Sequence, residues 1–331
     1  MSTVLVLGSN SFSGASFCKY LLEQGIEVIG ASRSPEAADV FLPYKWLDHS
    51  KLNQFRFRQI DLNHDLDQLE SLIKAENIKT IANFAAQSMV GESWDKPDDW
   101  MRANVVSVAR LAERLRHLDF LEKYVHVTTP EVYGSTDGWI SEDTPFNPST
   151  PYAVSRAAGD MLFKIYRETF GLPVLATRAA NVYGPGQPLY RIIPRTLFFL
   201  LTGRILELHG GGVSTRSFIH IDDVSRATWQ IAQHAPIGEI YHISTDRIIA
   251  IKDLVALICD MLTAPFDANV KIVGERLGKD SAYWLDSTKL RTELGWQDKI
   301  SLENGLQKTL GWAQKNLETL KQQPMQYIHK P

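Results

Sequence analysis

The sequence predicts an α/β protein, a doubly wound parallel sheet covered by helices, with a smaller α/β lobe built after it. Three observations predict this. Short β-branched runs alternate with stretches of helical period over most of the chain. A glycine-bracketed loop, GSNSFSG, joins the first strand-like run to the first helical one. Beyond about residue 178 the alternation turns irregular, and segments 185–213 and 249–300 are rich in loop residues, arginine and aromatics. Residues 1–177 with 214–248 are therefore expected to form the main domain, and 178–213 with 249–331 the smaller lobe.

Bulk properties remove several classes. A chain of 331 residues, 44% hydrophobic and 22% charged, can bury a full core. A net charge of -3 leaves no surplus of Lys and Arg to displace counterions from a phosphate backbone, so nucleic acid is not an expected partner. Cys18 and Cys259 sit far apart in apolar helical contexts, which reads as reduced, buried thiols in a cytoplasmic protein, and two such residues cannot build a metal site. Met1 leads directly into the apolar run Val4 to Gly8, with no basic leader. The longest apolar stretch, Leu197 to Leu201, cannot span a bilayer core of about 30 Å. Neither secretion nor a membrane partner is expected.

The elements follow in order. TVLVLG (3–8) is the first strand, and Ala15, Phe17, Cys18, Leu21 and Leu22 recur at helical spacing between Ser13 and Gln24, with Gly25 ending the run. Gly8 and Gly14 let the loop turn tightly and let a pyrophosphate approach a helix N-terminus, where free N–H groups favour anions. Asn10, Ser11 and Phe12 complete this candidate cofactor loop, Ser11 standing where a third glycine is usual; an ordinary strand-to-helix turn is the alternative. EVIGAS (27–32) is the second strand. An acid expected there for the ribose 2′-hydroxyl of NAD is missing. Ser32 and Arg33 could hold a 2′-phosphate instead, which favours NADP over NAD, the alternative being a solvated Arg33.

FRFRQIDL (55–62) closes on Asp61 and Leu62, placed to contact adenine. TIANFA (80–85) ends through Asn83 and Ala85 and runs on into Ala86, groups along which the cofactor's ribose and pyrophosphate could run. YVHVTT (124–129) enters TTPEVYG (128–134), which sets the carboxylate of Glu131 one step past Pro130 where the sheet ends. In PYAVSRAAGDM (151–161), Tyr152 and Arg156 are four apart and share a helix face. A phenol titrating near 10 serves as a base at neutrality only beside a cation, and Arg156 can be that cation; a surface tyrosine is the alternative. PVLATRAANVYG (173–184) and EIYHIS (239–244) are the remaining strands. Trp94, Trp284 and Trp296 are expected in the core.

Taken together, GSNSFSG, NFAAQSMVGESWDKP (83–97), TTPEVYG, the Tyr152 motif, NVYGPG (181–186), TRSFIHIDDV (215–224) and LGKDSAYWLDSTKLRTELGW (277–296) resemble the extended short-chain dehydrogenase/reductase superfamily, and within it the nucleotide-sugar 4,6-dehydratases. NFAAQS is most similar to the GDP-mannose branch and the closing segment to the dTDP-glucose branch, so the nucleotide base stays open. The resemblance implies a Rossmann domain holding NAD or NADP tightly, a lobe binding a nucleoside diphosphate sugar, and a homodimer through helices near 100–117 and 152–170. It implies that Thr129 bonds the sugar's 4-hydroxyl beside Tyr152, supported by Arg156, and that Glu131 takes the C5 proton once C4 is a ketone. By the same matching, Asn181, Arg191, Arg216 and Arg276 are candidates for the diphosphate and sugar, a structural ion pair being the alternative for each arginine, and Ser88 and Glu92, which follow the fourth strand, are candidates to line the sugar pocket. Two positions depart from the pattern. Pro130 stands where the dTDP branch has the aspartate that protonates the departing hydroxyl, and Arg156 replaces a lysine. A 4-epimerase, a 4-keto sugar reductase or a cofactor-binding regulator on the same scaffold remain alternatives; Glu131 argues against the epimerase, which needs no base at C5.

Overall fold

The computed structural model describes residues 3–274 and 282–330, so Arg276 lies outside the described residues. All seven strand candidates enter one parallel sheet: β1 (Val4–Leu7), β2 (Val28–Ser32), β3 (Phe55–Gln59), β4 (Thr80–Asn83), β5 (Lys123–Thr128), β7 (Val174–Ala179) and β11 (Ile240–Ile243), in the order β11-β7-β5-β4-β1-β2-β3. The other strands are β6 (Trp139–Ile140), β8 (Asn181–Tyr183), β9 (Leu206–His209), β10 (Thr215–His220), β12 (Ile248–Ala250), β13 (Val270–Val273) and β14 (Trp284–Leu285).

The first strand shows why both faces need helices. Side chains alternate across a strand, and all four here are apolar: Val4 and Val6 enter one core, Leu5 and Leu7 the other. Helices Phe12–Glu23 and Ile221–His234 cover the first face with Phe17, Leu21 and Ile231. Helices Leu66–Ala75, Ser107–Leu115 and Pro151–Phe170 cover the second with Leu69, Leu111 and Phe163. Truncating one of these fully buried side chains to alanine costs about 2–5 kcal/mol. The first helix begins one residue earlier than its apolar spacing suggests, because the Ser11 hydroxyl accepts from the Gly14 amide at 3.1 Å and caps it.

PVLATRAANVYG is two strands rather than one. The amide of Ala180 donates to Ile243 at 2.9 Å on the central sheet's edge, and the chain then crosses into a second sheet of order β12-β10-β8. There Asn181–Tyr183 pair in parallel with Phe218–His220. Residues 215–220, expected with the main domain, thus pair with the smaller lobe's strands, while the helix that follows them returns to the central sheet. The lobe has its own core of Tyr183, Leu197, Phe218, Leu254 and Leu306. It is also less irregular than its composition suggests, since it carries helices Ile192–Leu201 and Ile251–Met261. Of the three tryptophans expected inside, only Trp296 is fully buried; Trp284 is half-buried and Trp94, on the turn Gly91–Trp94, is 53% exposed. Cys18 and Cys259 are buried free thiols. No helix among the described residues is long and apolar enough to cross a membrane.

Candidate active site

Parallel strands deliver their carboxyl ends to one edge, so the loops after β1, β2, β4 and β5 meet there. After β5 the chain stays extended at Thr129, and Pro130 opens the short helical turn Pro130–Tyr133. Thr129 is buried and its hydroxyl donates to Glu131 Oε2. The neighbouring helix starts where Thr150 accepts from the Ala153 amide at 3.2 Å with Pro151 in the first turn, which fixes Tyr152 beside that carboxylate and Arg156 one turn on.

Tyr152 and Arg156 are only 6% and 5% exposed. Burial pushes the Tyr152 phenol above its ordinary value and the charge of Glu131 adds to this, while Arg156, a hydrogen bond with Thr129 and the charge of Arg191 pull it down without cancelling the rise. The charge support expected from Arg156 is present but outweighed. Arg156 Nη2 also donates to the Val127 carbonyl at 2.5 Å, which anchors the helix to β5.

A buried frame holds this turn from behind. Arg178 on β7 pairs with Asp160 at 2.7 Å and donates to the Tyr133 hydroxyl at 2.5 Å. The Tyr133 hydroxyl is 2.8 Å from His242 Nε2, and His242 Nδ1 lies 3.2 Å from the Asp286 carbonyl. The carbonyl must receive Nδ1–H, so Nε2 is the acceptor. Burial alone would raise Asp160, but its contact with His126 and the charge of Arg178 bring it down to about 2. Burial and the charge of Arg178 lower His242 to about 3.

On the lobe side, Tyr283 places its hydroxyl 2.9 Å from Asn181 Oδ1 and 3.3 Å from Glu131 Oε1. The Arg216 guanidinium lies 4.7 Å from that ring's centroid. Arg191, at the start of helix Ile192–Leu201, lies over Tyr190 at 5.6 Å. Thr129, Glu131, Tyr152, Arg156, Asn181, Arg191 and Arg216 are thus brought together. Ser88 is exposed on the loop after β4. Glu92 sits near Tyr190 and Tyr327, with Oε2 buried and lacking a hydrogen-bond partner.

On the sheet side, Gly8 adopts φ 79, and a Cβ there would fall 2.7 Å from the Ala85 amide, so the loops after β1 and β4 touch at this point. Asn10 donates to the Ser34 and Pro35 carbonyls at 2.9 Å, and its Oδ1 is buried without a partner, an acceptor that a ribose hydroxyl would satisfy. These features fit a dinucleotide. Other candidates have internal work: Ser32 Oγ accepts from the Asn10 amide at 3.0 Å, Asp61 caps the Asn63 amide at 2.8 Å, Leu62 packs on the core, and Asn83 binds the Tyr124 hydroxyl and the Ala85 amide. Arg33 donates to the Lys330 carbonyl at 2.8 Å, and Ala86 is half-buried.

The profile of the family described as GDP-mannose 4,6 dehydratase matches residues 5–309. The chain belongs to that family. A trifunctional UDP-glucose 4,6-dehydratase/3,5-epimerase/reductase of Arabidopsis thaliana is 33% identical over 268 residues, 80% of this chain, which spans only 40% of that relative's length. A dTDP-glucose 4,6-dehydratase of Xanthomonas campestris is 28% identical, with 94% of this chain and 93% of the relative covered. Among solved structures, the dTDP-glucose 4,6-dehydratase DesIV of Streptomyces venezuelae, which holds NAD, superposes with a TM-score of 0.86 at 31% identity, covering 96% of this chain and 98% of its own. A UDP-glucuronic acid 4-epimerase of Bacillus cereus, solved with UDP-glucuronic acid and NAD, gives 0.85 at 26% identity, covering 95% and 99%.

Several site residues of this GDP-mannose 4,6-dehydratase family member escaped sequence reasoning. Asn104 lies in the wide turn Arg102–Val106, exchanges hydrogen bonds of 3.0 Å with the Gln87 backbone, and donates to Ser155 at 2.9 Å. It therefore ties the loop after β4 to the helix carrying Tyr152. Its signal was an amide among the apolar positions of a helical stretch. Tyr283 lies inside LGKDSAYWLDSTKLRTELGW, where nothing in the residue pattern sets it apart. Residues 324–330 carry no signal in the sequence, yet they reach the site's rim through Gln87, Asp99 and Trp100.

Proposed function

We propose that the protein is a nucleoside diphosphate hexose 4,6-dehydratase, which oxidises C4, eliminates water across C5 and C6, and reduces C6. The observation that carries this reading is Glu131, a carboxylate in contact with Thr129 and next to Tyr152 at the carboxyl edge of the sheet. A nicotinamide dinucleotide would supply the reversible two-electron chemistry, withdrawing hydrogen at C4 and restoring it at C6. Gly8 to Gly14 with Asn10 would hold its pyrophosphate and ribose, and Arg33 its adenosine end.

The chain's own groups have distinct tasks. Thr129 and Tyr152 orient the 4-hydroxyl, and Tyr152 takes its proton as the phenolate, the form that Arg156 one turn away favours against burial and the charge of Glu131. Glu131 removes the C5 proton, which is acidic only while C4 is a ketone able to carry the enolate charge. Asn181, Arg191 and Arg216 would hold sugar and diphosphate, the arginines as charge-assisted donors. The preference for NADP rests on Arg33 and the absent acid; the crystallised relatives hold NAD. Val154, Met161 and Ile165 are 42%, 52% and 55% exposed on helix Pro151–Phe170, an apolar stripe that supports a homodimer through this face.

A panel of GDP-, dTDP-, UDP- and CDP-hexoses tests the activity. Mass spectrometry should find loss of water without added reductant, and Glu131→Gln should abolish that loss while reduced-cofactor absorbance still rises on mixing with sugar. If the sugars are only inverted at C4, or only 4-keto sugars are reduced, the epimerase or reductase reading replaces this one.

A further inference from the structure

Elimination from C6 needs a proton for the departing hydroxyl. Pro130 has none to give, and Glu131 is occupied with the proton from C5. Tyr283 is the hydroxyl that the lobe sets against Glu131: it is 6% exposed, 3.3 Å from Glu131 Oε1, and held by Asn181 at 2.9 Å. Arg216 stands over its ring at 4.7 Å, a charge that favours the phenolate left behind when the proton departs. We propose, on the dehydratase reading above, that Tyr283 is the general acid that protonates the leaving 6-hydroxyl.

The step balances. Glu131 takes the C5 proton, and the C5–H electron pair becomes the C4–C5 enolate. That enolate collapses to the C5–C6 double bond as the C6–O bond breaks with its electron pair on oxygen. The oxygen takes the Tyr283 proton and leaves as water, so a phenolate remains. When C6 has been reduced, Glu131 returns its proton to C5. One proton is still held, the one Tyr152 took from the 4-hydroxyl. Tyr152, Thr129, Glu131 and Tyr283 form a continuous hydrogen-bonded chain, along which that proton reaches Tyr283, so that Tyr283 is again a phenol and Tyr152 again the phenolate that began the cycle. Two protons are taken and two are given.

Tyr283→Phe removes one oxygen and tests the assignment with the sugar that the wild type dehydrates. Water loss should slow about 10²- to 10⁴-fold, the usual worth of general acid help. Cofactor reduction at C4 and exchange of the C5 hydrogen with heavy water should continue, because Tyr152 and Glu131 remain. A 6-deoxy-6-fluoro sugar, whose fluoride leaves without a proton, should restore elimination in the variant to near the wild-type rate. Normal water loss by the variant overturns the proposal. So does equal slowing of the hydroxyl and fluoro substrates, which would mean only a disturbed pocket. A wild-type protein that dehydrates no sugar in the panel sinks the dehydratase reading first and this proposal with it.

Discussion

Arg33 carries a cation to the end of β2, where a carboxylate would favour an unphosphorylated ribose. Its Nη2 already donates to the Lys330 carbonyl, so the side chain is held at the rim rather than loose in solvent. A charge-assisted hydrogen bond to a phosphate contributes about 1.5–3 kcal/mol. Arg33→Ala should therefore weaken NADP binding roughly 10- to 100-fold and NAD binding far less, as measured by calorimetric titration of both cofactors. An unchanged ratio between the two would assign Arg33 to the terminal segment alone. Arg156 differs from lysine in a related way: its planar fork spends one nitrogen on Val127 and keeps its charge near Tyr152.

At the scale of elements, the turn Pro130–Tyr133 is held by the β7–β11 edge of the sheet through Arg178, Tyr133 and His242. His242 titrates near 3 in the fold against about 6.5 in an open chain, so folding favours its neutral form. The stability this contributes is complete above about pH 6.5 and is lost as pH falls toward the folded value. His126 and His220 are buried and lowered in the same direction. The melting temperature should thus drop between about pH 6.5 and pH 5, before most carboxylates titrate, and His242→Gln should flatten part of that slope. Thermal melts across this range would show an identical slope in the variant if the frame carries no such linkage. The seven strands were legible because alternation and β-branching are local properties, and the shared helix face of Tyr152 and Arg156 was legible from their spacing, whereas the tasks of Thr129 and Glu131 came from the family resemblance. Three things were not legible. The break at Ala180 depends on which partner strand each half finds, the placement of β10 depends on β8 and β12, and Tyr283 acquires its meaning only where the lobe meets Glu131.

Across the whole molecule, the segment following Gln323 travels from the smaller lobe back to the dinucleotide edge. The Lys330 carbonyl accepts from Arg33 on the loop after β2 and from Gln87 on the loop after β4. In the sheet those strands flank β1, so the segment crosses above the end of β1, where Gly8 to Gly14 lie. Tyr327 adds a hydrogen bond to Gln87 at 3.1 Å, and His329 pairs with Asp99 at 2.7 Å and stacks on Trp100. These contacts reach the rim, whereas Ser11 and Asn83 on the floor are bonded to Gly8, Gly14, Tyr124 and Ala85. On the proposed dehydratase reading, a strap over the cofactor would suit a reaction that uses the same dinucleotide at C4 and again at C6, because release between the two steps would strand a 4-keto intermediate. Each rim hydrogen bond contributes about 0.5–1.5 kcal/mol. A chain ending at Gln323 should then lose bound cofactor at least about tenfold faster, while its fold and its C4 oxidation at saturating cofactor persist. Displacement of bound reduced cofactor, followed by fluorescence without any sugar, measures this directly. Equal release rates from the full and shortened chains would show that the segment rests on the rim without closing it.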